Sequence, residues 1–387
     1  MKNFLQLLQR EIRLFFSNPV MPTLYIGGPV LFGLLFGFIY VDGKLNNLPV
    51  VVVDLDNSPA SNHFIDILAN IDALDVQHVY YENTETSQLL MGEEYHGAIL
   101  IPEKFEADLL IGRHPEINTY INNANLIPSG YISRSVYAAA AALNTSLAVE
   151  GLKRNKVPSS LAAQQHEAFK VNTFRQFNPA SNYSVFVWPS FLGIIMQSVI
   201  LVVLAISFAS EFENHTFANL VSLSTGSIFI AMFSKLIPYW ILAFLLLGVY
   251  AVYFHFFRQS LPDKIGPIVL VFLIFVFTIS FQGIIAGLLF KNQLQALQFL
   301  IILSMPAYVS SGFSWPFEQD GLVAKLYGGA FPYMSFVNGF RILFIEDGTL
   351  GDIKDYIQMQ FILLLLYGSI SGILLKVNIM KIVRPAI

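Results

Sequence analysis

The sequence predicts an α-helical polytopic membrane protein with six transmembrane helices and an inserted extracytoplasmic α/β domain. Of its 387 residues, 55% are hydrophobic and only 12% are charged, about half the charged share of a typical soluble protein. Apolar segments of about 20 residues, the length that crosses a bilayer, recur along the chain. Between the first two lies a long stretch in which β-branched runs alternate with helical patterns, which is typical of an α/β layer.

Composition and motifs exclude several functions. The net charge of −4 gives no reason to expect nucleic acid as a partner, and the absence of cysteine excludes disulfides and thiolate sites. The sequence has no histidine pair at metal-ligand spacing and no P-loop around Gly43 and Lys44. The centres of the apolar segments carry no ionisable side chain for ion coupling. We therefore predict that the chain is not an enzyme, carries no cofactor and takes energy from a partner.

Residues 1–19 are predicted to form an amphipathic helix on the cytoplasmic membrane surface, ended at Asn18 and Pro19. Arg10 and Arg13 keep this end of the chain inside under the positive-inside rule. The alternative is a charged lead-in to the first span. The apolar side chains that fall near one helical face are Phe4, Leu5, Leu8, Ile12 and Phe15.

Residues 20–41 are predicted to be the first transmembrane helix, and residues 42–183 the extracytoplasmic α/β domain. The sheet is expected to be largely parallel or mixed, with long helices that return the chain to the membrane. The predicted strands cover 48–55, 76–81, 97–101 and 116–122, and the long helices cover 129–152 and 160–174.

Asp54 and Asp56 directly follow the first predicted strand. Their spacing superficially resembles the nucleophile motif of haloacid-dehalogenase phosphatases, which uses one aspartate as nucleophile and the next as acid. Pro59 follows after Ser58, and the lysine and distal acidic pair of that motif are not evident. A strand end followed by a helix cap explains the same residues, with Ser58 as the cap and Pro59 at the first helical position.

Residues 184–387 are predicted to contain transmembrane helices two to six. Lys376, Lys381 and Arg384 follow the last of them and place the C-terminus in the cytoplasm, whereas Arg258 and Lys264 fall on the outer side and weaken this assignment slightly. The predicted spans cover 185–209, 228–257, 265–290, 294–309 and 357–375.

An acidic stretch, 211–216 (EFENHT), closes the second span and lies in the predicted cytoplasmic loop 210–227. The preceding apolar run contains no ionisable side chain, so Glu211 and Glu213 are the first groups that a partner protein could contact there. We predict that this loop receives force from another protein. Glu211 and Glu213 could pair with basic residues of that partner, or Glu213 could cap the short helix that follows.

A second distinctive segment, 310–341, follows the short fifth apolar block. Gly312, Pro316 and Pro332 interrupt the helix, and Trp315 is a residue type that accumulates at the membrane interface. We predict an outer re-entrant region here, with an ordinary loop as the alternative.

The order of these elements resembles the type-2 ABC transporter permease family, specifically exporter membrane subunits with a large external domain between the first two spans. The stretch 211–216 is similar to the family's E-x-E-x-G-T element, with His215 in place of the usual glycine, and 234–239 (SKLIPY) is similar to the segment after it. The segment from Arg10 to Pro19 resembles the interfacial elbow helix, and 311–316 with 332–341 resembles the outer re-entrant region.

The resemblance implies a multi-pass permease of the bacterial inner (cytoplasmic) membrane. Its partners would be the lipid bilayer, a second permease copy as homodimer or heterodimer, two ABC ATPase subunits that hold ATP and Mg²⁺, and, as a further option, a periplasmic adaptor. The alternative function is a membrane-anchored surface or secretion-accessory protein whose external domain binds a partner.

The resemblance also assigns site residues. Those proposed for ATPase coupling are Glu211, Glu213, His215, Thr216 and Lys235; those of the interfacial elbow are Arg10, Glu11, Arg13 and Pro19; those of the outer re-entrant region are Ser311, Gly312, Trp315, Pro316, Pro332 and Arg341.

Overall fold

The computed structural model is mostly helical and describes residues 2–91, 94–154, 176–179, 181–257 and 264–383. The chain divides into two compact units. One is formed by Met1–Gly43 with Arg175–Ile387, and the other by Lys44–Phe174. The helix predicted over 160–174 and the cations Arg258 and Arg384 lie outside the described residues.

The first helix, α1 (Lys2–Ser17), covers the predicted amphipathic segment, but its buried face differs from the predicted one. Leu7, Glu11 and Phe15 are buried, whereas Leu5 and Ile12 are exposed. The helix therefore turns an acidic side chain toward the protein and leaves part of its apolar surface exposed. The next helix, α2 (Val20–Ile39), corresponds to the predicted first span.

The unit Lys44–Phe174 contains a four-stranded sheet with the order β2-β1-β3-β4. The central strand β1 is parallel to β2 and β3, and β4 is antiparallel to β3. All four predicted strands are confirmed, and the sheet is mixed as expected. The strands are β1 (Leu48–Asp54), β2 (Leu74–Tyr80), β3 (Gly97–Ile101) and β4 (Asn118–Ile121).

Within the described part of this unit, four helices accompany the sheet, and α3 packs against α6. Apolar residues of α3 and α6 join the β-branched side chains of β1 and β3 in one core that includes Val52, Phe64, Ile99 and Ile132, all fully buried. The helices are α3 (Pro59–Ala69), α4 (Thr86–Leu89), α5 (Phe105–Leu110) and α6 (Leu126–Arg154).

The end of β1 shows the helix cap that the sequence favours. Asp54 Oδ1 accepts hydrogen bonds from the backbone N–H groups of Asp56 and Asn57, both at 3.1 Å. Asp54 Oδ2 accepts the hydroxyl of Ser61 at 2.7 Å, and Ser58 and Ser61 form a reciprocal capping box. The carboxylate of Asp54 therefore holds a turn and a helix start.

The second part of the first unit consists of helices α7 to α14. Two of them, α7 and α10, are largely buried, whereas α9 and α14 expose much of their apolar surface. The helices are α7 (Tyr183–Glu213), α8 (Phe217–Leu223), α9 (Ile228–Phe256), α10 (Ile265–Phe290), α11 (Gln293–Val309), α12 (Leu322–Ala330), α13 (Pro332–Phe344) and α14 (Lys354–Val383).

Within the described residues, five helices are long and apolar enough to cross a membrane: α2, α7, α9, α10 and α14. The predicted fifth span corresponds to α11, which is apolar but has only 17 residues. At 1.5 Å per residue it is about 26 Å long, shorter than the roughly 30 Å of a typical hydrocarbon core. Length and composition therefore support five spans, and the sixth is not confirmed by them.

Two glycines bring α10 into backbone contact with α7. A β-carbon on Gly283 would lie 2.7 Å from the carbonyl oxygen of Leu201, and one on Gly287 would lie 2.5 Å from that of Ala205. The spacing is that of the G-x-x-x-G helix-packing motif. Moving four residues along α10 moves the contact four residues along α7 in the same direction, so the two helices run parallel.

Candidate functional site

The acidic stretch 211–216 is where α7 ends, and His215 closes its last turn with a left-handed φ of 56°. The N–H of Thr216 donates to the carbonyl of Glu211 at 2.8 Å, and that of His215 to the carbonyl of Phe212 at 3.2 Å. These two bonds form a Schellman motif, whose left-handed residue is most often glycine. His215 therefore adopts the left-handed conformation that glycine adopts most easily, and it stands where the E-x-E-x-G-T element has its glycine.

The carboxylate of Glu211 is buried, with 1% of the residue exposed, and both of its oxygens have partners. Arg10 donates one hydrogen bond to each oxygen at 2.7 Å, in the bidentate geometry that gives strong arginine–carboxylate pairs. Lys235 Nζ lies 3.1 Å from Oε1, and the hydroxyl of Thr216 donates to Oε2 at 2.5 Å. Glu211 thus joins α1 to the loop after α7.

A second buried carboxylate, Glu11, lies beside the first. Its Oε2 is 2.6 Å from Lys235 Nζ, and its Oε1 accepts the hydroxyls of Ser207 at 2.6 Å and Tyr239 at 2.7 Å. Lys235 also donates to the hydroxyl and the carbonyl oxygen of Ser207. We call these residues the buried charged cluster: Arg10, Glu11, Ser207, Glu211, Thr216, Lys235 and Tyr239.

The cluster contains two cations and two carboxylates, so its formal charges cancel. Ion pairs removed from water cost desolvation free energy, which is offset only when each charged atom has good partners. Burial lowers the pKa of Arg10, but the hydrogen bond and the charge of Glu211 outweigh burial and raise that pKa above its ordinary value. Removal of any one charge would leave the cluster with a net charge in a largely buried place.

Not all of the predicted coupling and elbow residues join this cluster, because Arg13, Pro19, Glu213 and His215 are exposed. Glu213 accepts hydrogen bonds from the backbone N–H of Gln293 at 3.2 Å and from its side chain at 3.0 Å. A carboxylate at a helix N-terminus is stabilised by the helix dipole. Glu213 therefore caps α11 rather than the short helix α8.

The loop helix α8 is amphipathic and lies against α1. It buries Phe217, Leu220 and Val221 and exposes Ala218 and Asn219. Within the loop 210–227, Glu213 is the one exposed acidic residue. The exposed surface of the loop is therefore mainly small and polar.

The segment 310–341, predicted to be an outer re-entrant region, folds around a turn at Gly312. The φ of Gly312 is 83°, and a β-carbon added there would lie 2.9 Å from Cβ of Phe317. Asn338 Nδ2 donates to the carbonyl of Ser311 at 2.8 Å, which fastens this turn to α13. Both Ser311 and Asn338 are buried.

Only some of the other residues predicted in this segment lie close together. Pro316 and Arg341 line, together with Gly312, a cavity of about 470 Å³. Pro332 is buried at the first position of α13, and Trp315 is 58% exposed. The structure therefore brings three of the six predicted residues to one cavity.

Sequence reasoning missed the roles of Ser207 and Tyr239. Ser207 lies four residues before Glu211, and Tyr239 lies four residues after Lys235. Residues four apart lie on the same face of a helix, so this spacing could have indicated polar neighbours for both charges. What no spacing could indicate is that α1 supplies Glu11 to the same place.

Comparisons with known proteins agree with this architecture. The family model described as ABC-2 family transporter protein matches residues 23–375. The chain is similar to ABC transporter G family member 20 of Dictyostelium discoideum, with 23% identity over 330 residues, which are 82% of this chain and 42% of that protein. It is also similar to the linearmycin resistance permease protein LnrN of Bacillus subtilis (strain 168), with 26% identity over 146 residues, 37% of each chain.

In both cases the matched part spans less than half the length of the relative. The family model, in contrast, covers most of the present chain. It includes the five candidate spans of the described residues, α2 from residue 23 and α14 up to residue 375. The chain therefore belongs to the ABC-2 transporter family.

Proposed function

We propose that the chain is the permease subunit of an ATP-binding cassette exporter that moves a substrate outward across the inner (cytoplasmic) membrane. ATP and Mg²⁺ would be bound by separate ATPase subunits, which dock on the loop 210–227. Family membership supports a membrane subunit of an ABC transporter. The direction of transport and the docking of an ATPase are parts of the proposal.

The buried charged cluster is the observation that carries this proposal. Through Glu211, the start of the loop is bonded to Arg10 of α1, and through Lys235 both are bonded to α9. A push on α8 would be passed to α1 and α9 together, because these contacts are short and buried. Such a rigid connection suits a membrane subunit whose helices are moved by an ATPase subunit.

Contacts within the helical unit support six membrane crossings. The end where the cluster lies also holds Gln293, at the start of α11, which bonds to the end of α7. The opposite end holds Lys264, before α10, and Asp347, after α13, which are 3.3 Å apart. The chain therefore passes from one end to the other between Gln293 and Asp347, with α11 as its first part.

The last helix returns to the cluster end, where Ser371 of α14 lies 3.8 Å from the sulfur of Met232 in α9. Both termini of the described chain then lie on one side, which we propose to be the cytoplasm because Arg10, Arg13 and Lys381 are found there. The unit Lys44–Phe174 follows a single span and would be extracytoplasmic, which is the periplasm in a bacterium with two membranes.

We further propose that the exporter contains a second permease copy, identical or different, and that a periplasmic adaptor can join it. The exposed apolar stripe of α1, with Leu5 and Ile12, would rest on the lipid bilayer. The proposal involves no nucleic acid.

Docking on the loop can be tested without disturbing the buried charged cluster. Asn219 is exposed on α8, so Asn219→Arg should leave the fold intact and weaken association with the ATPase through a large charge in the contact. The measurement is co-purification of the ATPase with the full-length permease, together with ATP-dependent transport after reconstitution. Ser314→Arg, an exposed position at the opposite end, is the matched control.

Recovery of a stoichiometric ATPase with the unchanged chain and with Ser314→Arg, but not with Asn219→Arg, supports the exporter. If no ATPase is recovered with the unchanged chain, the exporter is excluded and an anchoring role with a partner-binding external domain takes its place. Equal recovery with all three chains would exclude α8 as the docking helix.

A further inference from the structure

The cavity of about 470 Å³ beside Gly312 lies where α13 ends and α14 begins. Arg341 lines it from the last turn of α13, and Tyr356 lines it from the first turn of α14. The segment between α11 and α12 contributes Glu318 and two aromatic rings. The volume is within the range of about 300–1,000 Å³ that is common for small-molecule sites. This cavity therefore joins charged, polar and apolar walls in one place.

The guanidinium group of Arg341 indicates what kind of ligand this cavity fits. Arg341 is partly buried, yet within the described part of the chain it forms no ion pair and donates no hydrogen bond. A cation that is shielded from water and unpaired costs free energy. Its planar array of N–H donors matches two oxygens of a phosphate or carboxylate. The unpaired guanidinium thus favours a ligand with an anionic group.

The surroundings of Tyr356 add a second requirement. Its hydroxyl makes no hydrogen bond to any other described residue, so it is available to donate to an oxygen of the same anion. The charged side chains within electrostatic reach of this hydroxyl are Arg341, Glu318, Glu346 and Asp355. Three carboxylates around one cation would repel a ligand with only negative charge and would attract an ammonium group. The charges therefore favour a zwitterion.

The position of the cavity along the helices places it at a membrane boundary. Tyr356 is twelve residues before Gly368, near the midpoint of α14, which corresponds to about 18 Å along the helix. Half of a typical hydrocarbon core measures about 15 Å, so Tyr356 lies at the depth of lipid headgroups. Trp315, whose two chain neighbours line the cavity, is 58% exposed, and tryptophan accumulates at this depth.

We propose that this cavity binds the headgroup of a zwitterionic phospholipid from the leaflet at this end of the helices. The phosphate pairs with Arg341 and accepts the hydroxyl of Tyr356, and the ammonium group lies beside Glu318. The rings of Phe313 and Phe317 suit the ammonium group, because a cation is attracted to an aromatic face. The acyl chains stay outside in the bilayer. The site requires only this cavity, so it does not rest on the proposed transport function.

The experiment uses the full-length protein, purified in detergent and freed of native lipid, and measures lipid binding by native mass spectrometry. The probes are phosphatidylethanolamine, phosphatidylglycerol and diacylglycerol with identical acyl chains, and soluble phosphoethanolamine. Phosphatidylethanolamine should occupy one site about tenfold more tightly than phosphatidylglycerol, which lacks the ammonium group, and diacylglycerol should not occupy it. Phosphoethanolamine that binds as tightly as the phospholipid would assign the site to a soluble zwitterion and overturn the proposal.

Arg341→Gln removes the cation and should weaken phosphatidylethanolamine binding about tenfold or more. Lys264→Gln is the matched control, because Lys264 is an exposed cation at the same end of the helices that does not line the cavity. It should leave binding unchanged. Glu318→Gln removes the partner of the ammonium group and should bring the affinities for phosphatidylethanolamine and phosphatidylglycerol to within about twofold.

Thermal unfolding of each variant shows whether the fold is retained. Glu318 is exposed, so Glu318→Gln provides an independent readout if Arg341→Gln proves unstable. Equal affinity of phosphatidylethanolamine for the unchanged protein, Arg341→Gln and Glu318→Gln would overturn the proposal. Equal affinity of the unchanged protein for phosphatidylethanolamine and phosphatidylglycerol would overturn it as well.

Discussion

The carboxylate of Glu11 lies 2.6 Å from the ammonium group of Lys235, and both side chains are almost completely buried. The two residues are 224 positions apart in the chain and belong to different helices, α1 and α9. This contact fixes the N-terminal helix, which the sequence places at the membrane surface, to a membrane-spanning helix. It is therefore the link through which movement of α1 would reach α9.

Lys235→Met should destabilise the protein by about 3–5 kcal/mol, because it leaves the carboxylates of Glu11 and Glu211 short of a cation in a buried place. The measurement is thermal or denaturant unfolding of the purified protein in detergent. Lys291→Met is the matched control, since Lys291 is exposed. The double variant Lys235→Met with Glu11→Gln should be more stable than Lys235→Met alone, and a strictly additive result would contradict the contact.

The two glutamates of the acidic loop should differ in their effect on stability. Glu211→Ala removes the partner of Arg10 and should cost about 3–5 kcal/mol. Glu213→Ala removes an exposed cap of α11 and should cost only about 0.3–1 kcal/mol. Unfolding of both variants under one set of conditions tests this difference, and similar losses would argue against the burial of Glu211.

His215→Gly should stabilise the chain or leave it unchanged. A non-glycine residue with left-handed geometry costs about 1 kcal/mol or more, part of which is offset by the greater freedom of glycine in the unfolded chain. His215→Val should destabilise by a larger amount, because a β-branched side chain fits φ of 56° poorly. The order of the three unfolding temperatures, with glycine highest or equal and valine lowest, is the expected result.

Gly287→Ala should weaken the packing of α7 on α10 by about 1–3 kcal/mol, because its new methyl group would meet the carbonyl of Ala205 and force the helices apart. Gly248→Ala is the control on α9, where no atom lies within 4 Å of the added carbon. It should be neutral or stabilising, since alanine favours a helix more than glycine does. Equal effects of the two substitutions on stability would show that the close approach of α7 and α10 does not contribute to the stability of the protein.

Most of the architecture follows from local pattern. Long apolar runs predict the bounds of α7, α9 and α10 closely, because an apolar helix of about 20 residues or more is stable across a bilayer. The β-branched run of β1 and the Ser58 cap likewise predict the small sheet and its first helix. α11 is the exception: its 17 residues leave the sixth span undecided by length alone.

The candidate site depends more on tertiary structure. The sequence indicated the loop residue Glu211 and the basic residue Lys235, since both stand out in apolar surroundings. It placed the apolar face of α1 toward Leu5 and Ile12, whereas the folded chain buries Glu11. The periodicity of one helix cannot show that an acid on it has cationic and hydroxyl partners on two distant helices.

By itself, the sequence determined that this is a membrane protein with a small α/β unit between two apolar segments and no P-loop of its own. Only the tertiary structure decided that Glu211 faces inward and Glu213 outward, although one residue separates them. The reason is physical: both residues belong to the last turn of α7, where each step along the helix rotates the side chain by about 100°, so residues two apart point to nearly opposite sides. Where each then points depends on the partners that α1, α9 and α11 supply.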